Sequence, residues 1–216
     1  MALNDETNDM TIKELYDNFY ESNTPRNPRL FVDYYEKNYV IISNTDLSNL
    51  IDYDLAMRLT CDYAISLESL GYLKKGVEYL DKAISLMENF PNYEKEKLFE
   101  IYYYESLIFH KARALYNMKK YKESLIYFNQ LDKAYPDNDK YSGWLIGLKY
   151  KKFEIFSWIG TIMMLIVLLV RIFFKGNNPT FDYVTLWLLP FSFLLFAIPE
   201  TIRQFLKYKL KKINAT

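Results

Sequence analysis

Two uncharged apolar runs close the chain, Ile155 to Val170 and Tyr183 to Pro199, with the short polar segment Lys175 to Thr180 between them. Carried past Arg171 to Phe174, the first run reaches about 20 residues, and Phe181 and Asp182 bring the second close to that. This is the length an α-helix needs to cross a hydrocarbon core. The alternative, two core helices of a soluble fold, requires enough other sequence to surround both, and 216 residues offer too little. The runs therefore predict a membrane hairpin with spans at about 154–174 and 181–199.

Cations set its expected orientation. Lys149, Lys151 and Lys152 precede the first span, and Arg203, Lys207, Lys209, Lys211 and Lys212 follow the second, whereas the connection offers only Arg171 and Lys175. Both ends are expected on the cytoplasmic side. The acidic start, MALNDETNDM, carries no charged-then-apolar export pattern, which keeps the preceding part in the cytosol. Lys151, Lys152, Trp158, Arg171, Asp182, Arg203 and Lys207 are the expected interface residues. Arg171 and Asp182 are placed to pair across the hairpin, and Pro190 to kink the second span. Lysine outnumbers arginine 21 to 6, a bias that resembles a low-GC bacterial protein and so suggests a bacterial inner membrane, with a eukaryotic organelle surface as the alternative.

Charge and cysteine content limit what the rest can do. Residues 1 to 54 hold eleven acids against four cations, a net charge of −7, which argues against nucleic acid as a partner. The single Cys61 excludes an intramolecular disulfide and a cysteine metal cluster. The single His110 excludes a multi-histidine metal site, and any triad must use it. Glycines stand apart, without a phosphate-cradling loop. No cofactor and no enzymatic activity are expected, and binding is the default.

The cytosolic part repeats itself. Residues 60 to 83 set over residues 108 to 131 match Ala64 to Ala112, Leu67 to Leu115, Leu73 to Tyr121, Gly76 to Ser124, Leu80 to Phe128 and Ala83 to Leu131. Small falls on small and large apolar on large, at the three-and-four steps of a helical face. Each copy predicts a helix, a turn at Gly71-Tyr72 or Lys119-Lys120, and a second helix. The second copy, KARALYNMKKYKESLIYFNQLDKAYP, carries Ala112, Leu115, Tyr121, Ser124, Phe128, Leu131 and Pro136. It resembles the tetratricopeptide repeat family, in which a small residue marks the helix crossing, an aromatic opens the second helix and proline closes the unit. In the first copy Leu73 replaces the aromatic and Glu88 the proline, and the copies lie 48 residues apart, beyond the family's period of roughly 34. Met87 to Leu98 is expected to supply a loop and to lengthen the next helix. Other α-solenoids are the near alternative.

The predicted fold is all-α: a tetratricopeptide-like α-solenoid of helix pairs followed by a transmembrane helical hairpin. Residues 1–45 form an acidic helical cap, 46–152 the repeat domain, 153–200 the hairpin and 201–216 a basic cytosolic tail. The cap holds helices over 10–20 and 29–42, broken at Thr24 to Pro28. After Pro136 a new helix, with Tyr141, Trp144 and Leu148 early on it, is expected to run straight into the first span.

The resemblance implies a groove lined by the first helix of each pair. Its positions carry over to Arg58, Cys61, Ile65 and Glu68, then Ser106, Phe109, Arg113 and Tyr116, and finally Lys140. Arg58, Arg113 and Lys140 are candidates to hold carboxylates of a peptide or helix, and Phe109 and Tyr116 to supply aromatic area. Against this, Arg113 has acids such as Asp62 or Glu105 to pair with inside the chain. The expected function is a membrane-anchored adaptor that binds a partner protein at the cytosolic face. The alternative is an oligomeric effector whose hairpins cluster to permeabilise or remodel the bilayer.

Overall fold

The computed structural model describes residues 10–20, 27–174 and 179–213. The acidic start, the break over Thr24 to Arg26 and the connection at 175–178 lie outside the described residues, as do the side chains of Lys152, Asp182, Arg203 and Lys207. The described residues are helical, with no strand among them. The chain divides into two compact units, Met1–Ala134 and Tyr135–Thr216.

The first unit runs α1 (Ile12–Tyr20), α2 (Pro28–Lys37), α3 (Tyr39–Ser43), α4 (Leu50–Ser69), α5 (Leu73–Asn89), a 3-10 segment (Lys95–Glu100), α6 (Tyr102–Asn117) and α7 (Tyr121–Ala134). Local signals start these helices where they do. Thr11 and Glu14 form a reciprocal capping box: the Thr11 N–H donates to Glu14 Oε2 at 2.8 Å, and the Glu14 N–H donates to Thr11 Oγ1 at 3.2 Å. Asn27 caps α2 ahead of Pro28, and Asn49 accepts the Ile51 N–H at 3.0 Å to cap α4. The helix expected over 29–42 is two, because Asn38 stops α2 and turns its side chain back onto the Tyr34 carbonyl at 2.8 Å.

The two copies read from the sequence end their first helices with the same hydrogen bonds. At α4, the Tyr72 N–H reaches the Leu67 carbonyl at 2.9 Å and the Gly71 N–H reaches Glu68 at 3.0 Å. At α6, Lys120 reaches Leu115 at 2.9 Å and Lys119 reaches Tyr116 at 2.9 Å, each 48 residues later. Both are Schellman turns, which need a left-handed residue at the first position past the cap. Gly71 has φ +85°, and Lys119 takes the same region at φ 62°.

Side-chain burial follows the same 48-residue register. Ala64 and Ala112, Leu80 and Phe128, Ala83 and Leu131 are all fully buried. At the helix crossing, a Cβ on Gly76 would lie 3.3 Å from the Glu68 backbone nitrogen, while Ser124 bonds the Ala112 carbonyl at 2.7 Å. Helix α5 packs on α4 and α6, α7 packs on α6, and α4 touches α6. The extra residues of the long period form the 3-10 segment against α5 and α6 rather than lengthening α6.

Helices α1 and α2 both pack on α4 and share one core with it, including Leu15, Phe31, Tyr35, Leu59 and Tyr63. Tyr35 and Tyr63 stack at 3.9 Å and 7°, with Tyr79 edge-on to Tyr63 at 4.7 Å. Such ring pairs add about 0.5–1.5 kcal/mol beyond the area they bury. The Tyr63 hydroxyl and the Lys75 ammonium converge on Glu36 Oε1 at 2.8 and 2.7 Å, tying α2, α4 and α5 together.

The second unit is two long helices, α8 (Asp139–Phe174) and α9 (Pro179–Ile213). Asn138 accepts the Lys140 N–H at 3.1 Å at the start of α8, which then runs without a break into the apolar stretch, as expected. Each helix contains a 20-residue segment long and apolar enough to cross a membrane, Glu154–Phe173 and Tyr183–Ile202. They pack antiparallel and approach closely at Gly160: a Cβ there would lie 2.7 Å from the Phe196 backbone nitrogen and 2.9 Å from the Ser192 carbonyl. Val167, Thr185 and Ser192 are buried, while Trp158, Ile172, Phe173 and Trp187 are 62–77% exposed.

Candidate functional site

The expected groove positions of the first unit lie on α4 and α6, and the structure ties several of them to one another. Glu68 accepts the Arg113 Nε–H at 2.8 Å and a second bond from Arg113 Nη2, and His110 Nδ1 lies 2.9 Å from Glu68 Oε2. The Glu68 side chain is 2% exposed, His110 15% and Arg113 32%. Burial alone would raise the Glu68 carboxyl, but the bonds from His110 and Arg113 outweigh it and hold the pKa below the ordinary carboxylate value. Arg113 also lies over the Phe109 ring at 5.7 Å, and Phe109 is itself buried. Glu68, Phe109 and Arg113 therefore form an internal clamp between α4 and α6, with Arg113 paired to Glu68 rather than to Asp62 or Glu105.

Further along α4, Arg58 Nε bonds Asp54 at 2.8 Å, one helical turn away. Cys61 is buried, and burial followed by the nearby Asp62 charge pushes its thiol far above the range in which a reactive thiolate exists. Tyr116 packs its ring against Tyr121 at 5.4 Å. Lys140 belongs to the second unit, where it is exposed with its ammonium 5.6 Å from the Tyr141 ring centre. Among the described residues no group of three His, Cys, Asp or Glu side chains is arranged to hold a metal ion.

Ile65, another groove position, lines a cavity of about 140 Å³ with Phe19, Tyr20, Asn27, Pro28, Phe31, Asp62 and Ser66. Three elements build it. Asp62 and Ile65 come from one face of α4, Phe19 and Tyr20 from the end of α1, and Pro28 and Phe31 from the start of α2. The Tyr20 hydroxyl donates to Asp62 Oδ2, and the Tyr103 hydroxyl of α6 is 3.5 Å from the same oxygen. Burial, then the Asp62 charge, drives the Tyr20 hydroxyl pKa well upward, so it stays a neutral donor.

Sequence reasoning missed this cavity. Tyr20 and Asp62 are 42 residues apart and share no local spacing, and the repeat register does not extend to α1. The available signal was the aromatic density of residues 16 to 35, read there only as helix packing.

In the second unit, Lys151 pairs with Glu154 on its own helix, and Trp158 and Arg171 are exposed. Trp187 is exposed one turn inside its segment. Set against known proteins, the chain matches no protein-family model, no curated protein and no solved structure.

Proposed function

We propose that this protein is a membrane-anchored adaptor whose helical repeat unit, built on tetratricopeptide-like pairs, holds a partner protein at the cytosolic face. The observation that carries the anchor is the pattern of exposure on α8 and α9. Ile155, Trp158, Ile162, Leu165, Ile166 and Leu169 are 53–62% exposed on a helix that is apolar almost all round. A soluble core helix would bury these groups, whereas a lipid-facing helix leaves them without protein contact. The cations before α8's apolar segment and after α9's favour both ends on the cytoplasmic side, and the lysine-rich composition favours a bacterial inner membrane.

Adaptor is favoured over clustering effector by how the spans use their one glycine. Gly160, the one glycine of the two spans, is taken up inside the hairpin against Ser192 and Phe196 and so is not offered to a neighbouring hairpin. The repeat unit supplies the binding half: two helix pairs repeated in register, with α4 and α6 adjacent.

The test replaces Glu154 to Ile202 with an unrelated hairpin of equal length and recovers crosslinked complexes from both proteins. An adaptor captures the same distinct partner with either anchor. Recovery of a self-assembled ring that vanishes with the foreign hairpin would establish the effector instead.

A further inference from the structure

We propose that one end of the hairpin, where α8 enters its membrane-length segment and α9 leaves its own, is a docking surface for the headgroups of anionic phospholipids. The proposal rests on the membrane reading above and deepens it by naming the class of lipid this end selects.

Helix α9 does not stop with its apolar segment. It continues from Arg203 to Ile213, about three further turns, and the added residues include Arg203, Lys207, Lys209, Lys211 and Lys212 but no acid. Gly160 meets α9 at Ser192 to Phe196, so counting outward along the antiparallel pair brings Lys149 and Lys152 to about the level of Arg203 to Lys207. The acids at this level are already engaged: Glu154 pairs with Lys151, and Glu200 accepts the Gln204 amide at 2.9 Å. Lys149, Lys151 and Lys152 with the five cations of α9 make eight against two acids, whereas the other end of the hairpin offers Arg171 and Lys175 beside Asp182.

The register of α9 shows what accompanies this charge. Thr185, Ser192 and Pro199 recur at every seventh residue on the buried side of the helix. On other lines of the same spacing, Trp187 and Leu194 lead through Thr201 to Tyr208, and Phe191 and Ile198 lead to Phe205 and then Lys212. The apolar members of these lines are 48–77% exposed. The exposed stripe therefore outruns the segment that ends at Ile202 by about two turns, and it finishes in the rings of Phe205 and Tyr208 among lysines.

Aromatic rings in this setting settle at the boundary between acyl chains and headgroups, where neighbouring lysines reach the lipid phosphates. Each cation held near an anionic surface strengthens association about fivefold. A zwitterionic headgroup has a phosphate but no net charge and lacks this gain. A soluble acidic partner would meet the lysines but leave Phe205 and Tyr208 without apolar cover, and anionic lipid supplies both.

The experiment uses the full chain reconstituted in phosphatidylcholine vesicles with a trace of spin-labelled phosphatidylglycerol or, in a parallel sample, spin-labelled phosphatidylcholine. The motionally restricted fraction of each label reads its association with the protein. Phosphatidylglycerol is expected to be favoured at least about threefold, and the preference to shrink in about 1 M sodium chloride. Lys209→Gln/Lys212→Gln should cut the preference by about half or more. Arg171→Gln/Lys175→Gln removes equal charge at the other end and should leave it within about a fifth of the parent value. Lys207→Gln/Lys209→Gln/Lys211→Gln/Lys212→Gln should bring the two lipids close to parity.

Equal losses in the two paired variants would reduce the effect to overall charge and overturn the surface. So would a preference that inorganic phosphate abolishes while chloride at the same ionic strength does not, which would mark a site for free phosphate. Restricted fractions of the same size for both labels would overturn the surface and leave the anchor standing. No restricted fraction with either label would remove the anchor, and the surface with it.

Discussion

Replacing Glu68 with glutamine puts the internal clamp of the repeat unit to a quantitative test. The carboxylate receives two bonds from Arg113 and one from His110 in an environment where its side chain is 2% exposed. Glutamine keeps one acceptor for the Arg113 Nε–H but turns an amide donor toward Arg113 Nη2 and His110. Hydrogen bonds to charged groups contribute about 1.5–3 kcal/mol and neutral ones about 0.5–1.5 kcal/mol. Losing the charge and one side of the fork should then cost about 3 kcal/mol, reduced to about 2 kcal/mol because Arg113 is one-third exposed and can turn to water.

Arg113→Leu should cost more, about 3 kcal/mol, because it leaves Glu68 buried with only His110 beside it. The double variant should fall short of the sum by at least about 1 kcal/mol. Hydrogen exchange of α4 and α6 amides in the full chain, followed across a urea series, reads these values locally. The pH dependence supplies a second arm. Since the folded Glu68 pKa lies below its unfolded value, the stabilisation is complete above the ordinary carboxylate range and is lost as pH falls through the folded value. The glutamine variant should lack that acid-side loss. Additive single and double variants, or an unchanged acid limb, would refute the clamp.

Three further outcomes follow from the geometry. Lys119→Gly relieves a left-handed residue in the α6 turn and should stabilise the repeat unit by up to about 1 kcal/mol, the offset between left-handed strain and glycine's added chain entropy, measured by the same urea series. Gly160→Leu places a side chain where even a Cβ would stand 2.7 Å from backbone, so α8 and α9 must part; a disulfide engineered across their apolar segments should then form much more slowly. Cys61, buried with its thiol held neutral, should resist maleimide under native conditions and label at the rate at which α4 opens; rapid native labelling would show that its face is open to solvent.

What the sequence disclosed depended on the range of the contacts involved. The apolar runs were legible from their length and the repeat register from its periodicity: Gly76 and Ser124, or Leu67 and Leu115, mark the same crossing 48 residues apart, and their burial follows from local helix geometry. Lys119 was placed in a turn, yet nothing in its chemistry announces a left-handed residue; its equivalence to Gly71 does. The groove positions were legible as helix faces but not as contacts. Whether Arg113 meets a partner or Glu68 depends on the side-by-side approach of α4 and α6, which no spacing within either helix encodes. The Asp62 cavity was legible only as aromatic density and one groove position, Ile65, because it is assembled from three helices whose mutual arrangement is set by core packing.

The unbroken course of α8 makes its apolar segment and the helix ahead of it one mechanical element. About 15 residues, Asp139 to Phe153, precede its membrane-length segment on the same helix, a rod of about 22 Å at the helical rise. In the membrane setting proposed above, a change of about 20° in span tilt, well within the range such helices adopt, swings the far end of that rod sideways by about 7 Å. Bilayer thickness would then be transduced into displacement at Asp139, and lipid composition would act there as a position signal as well as a solvent.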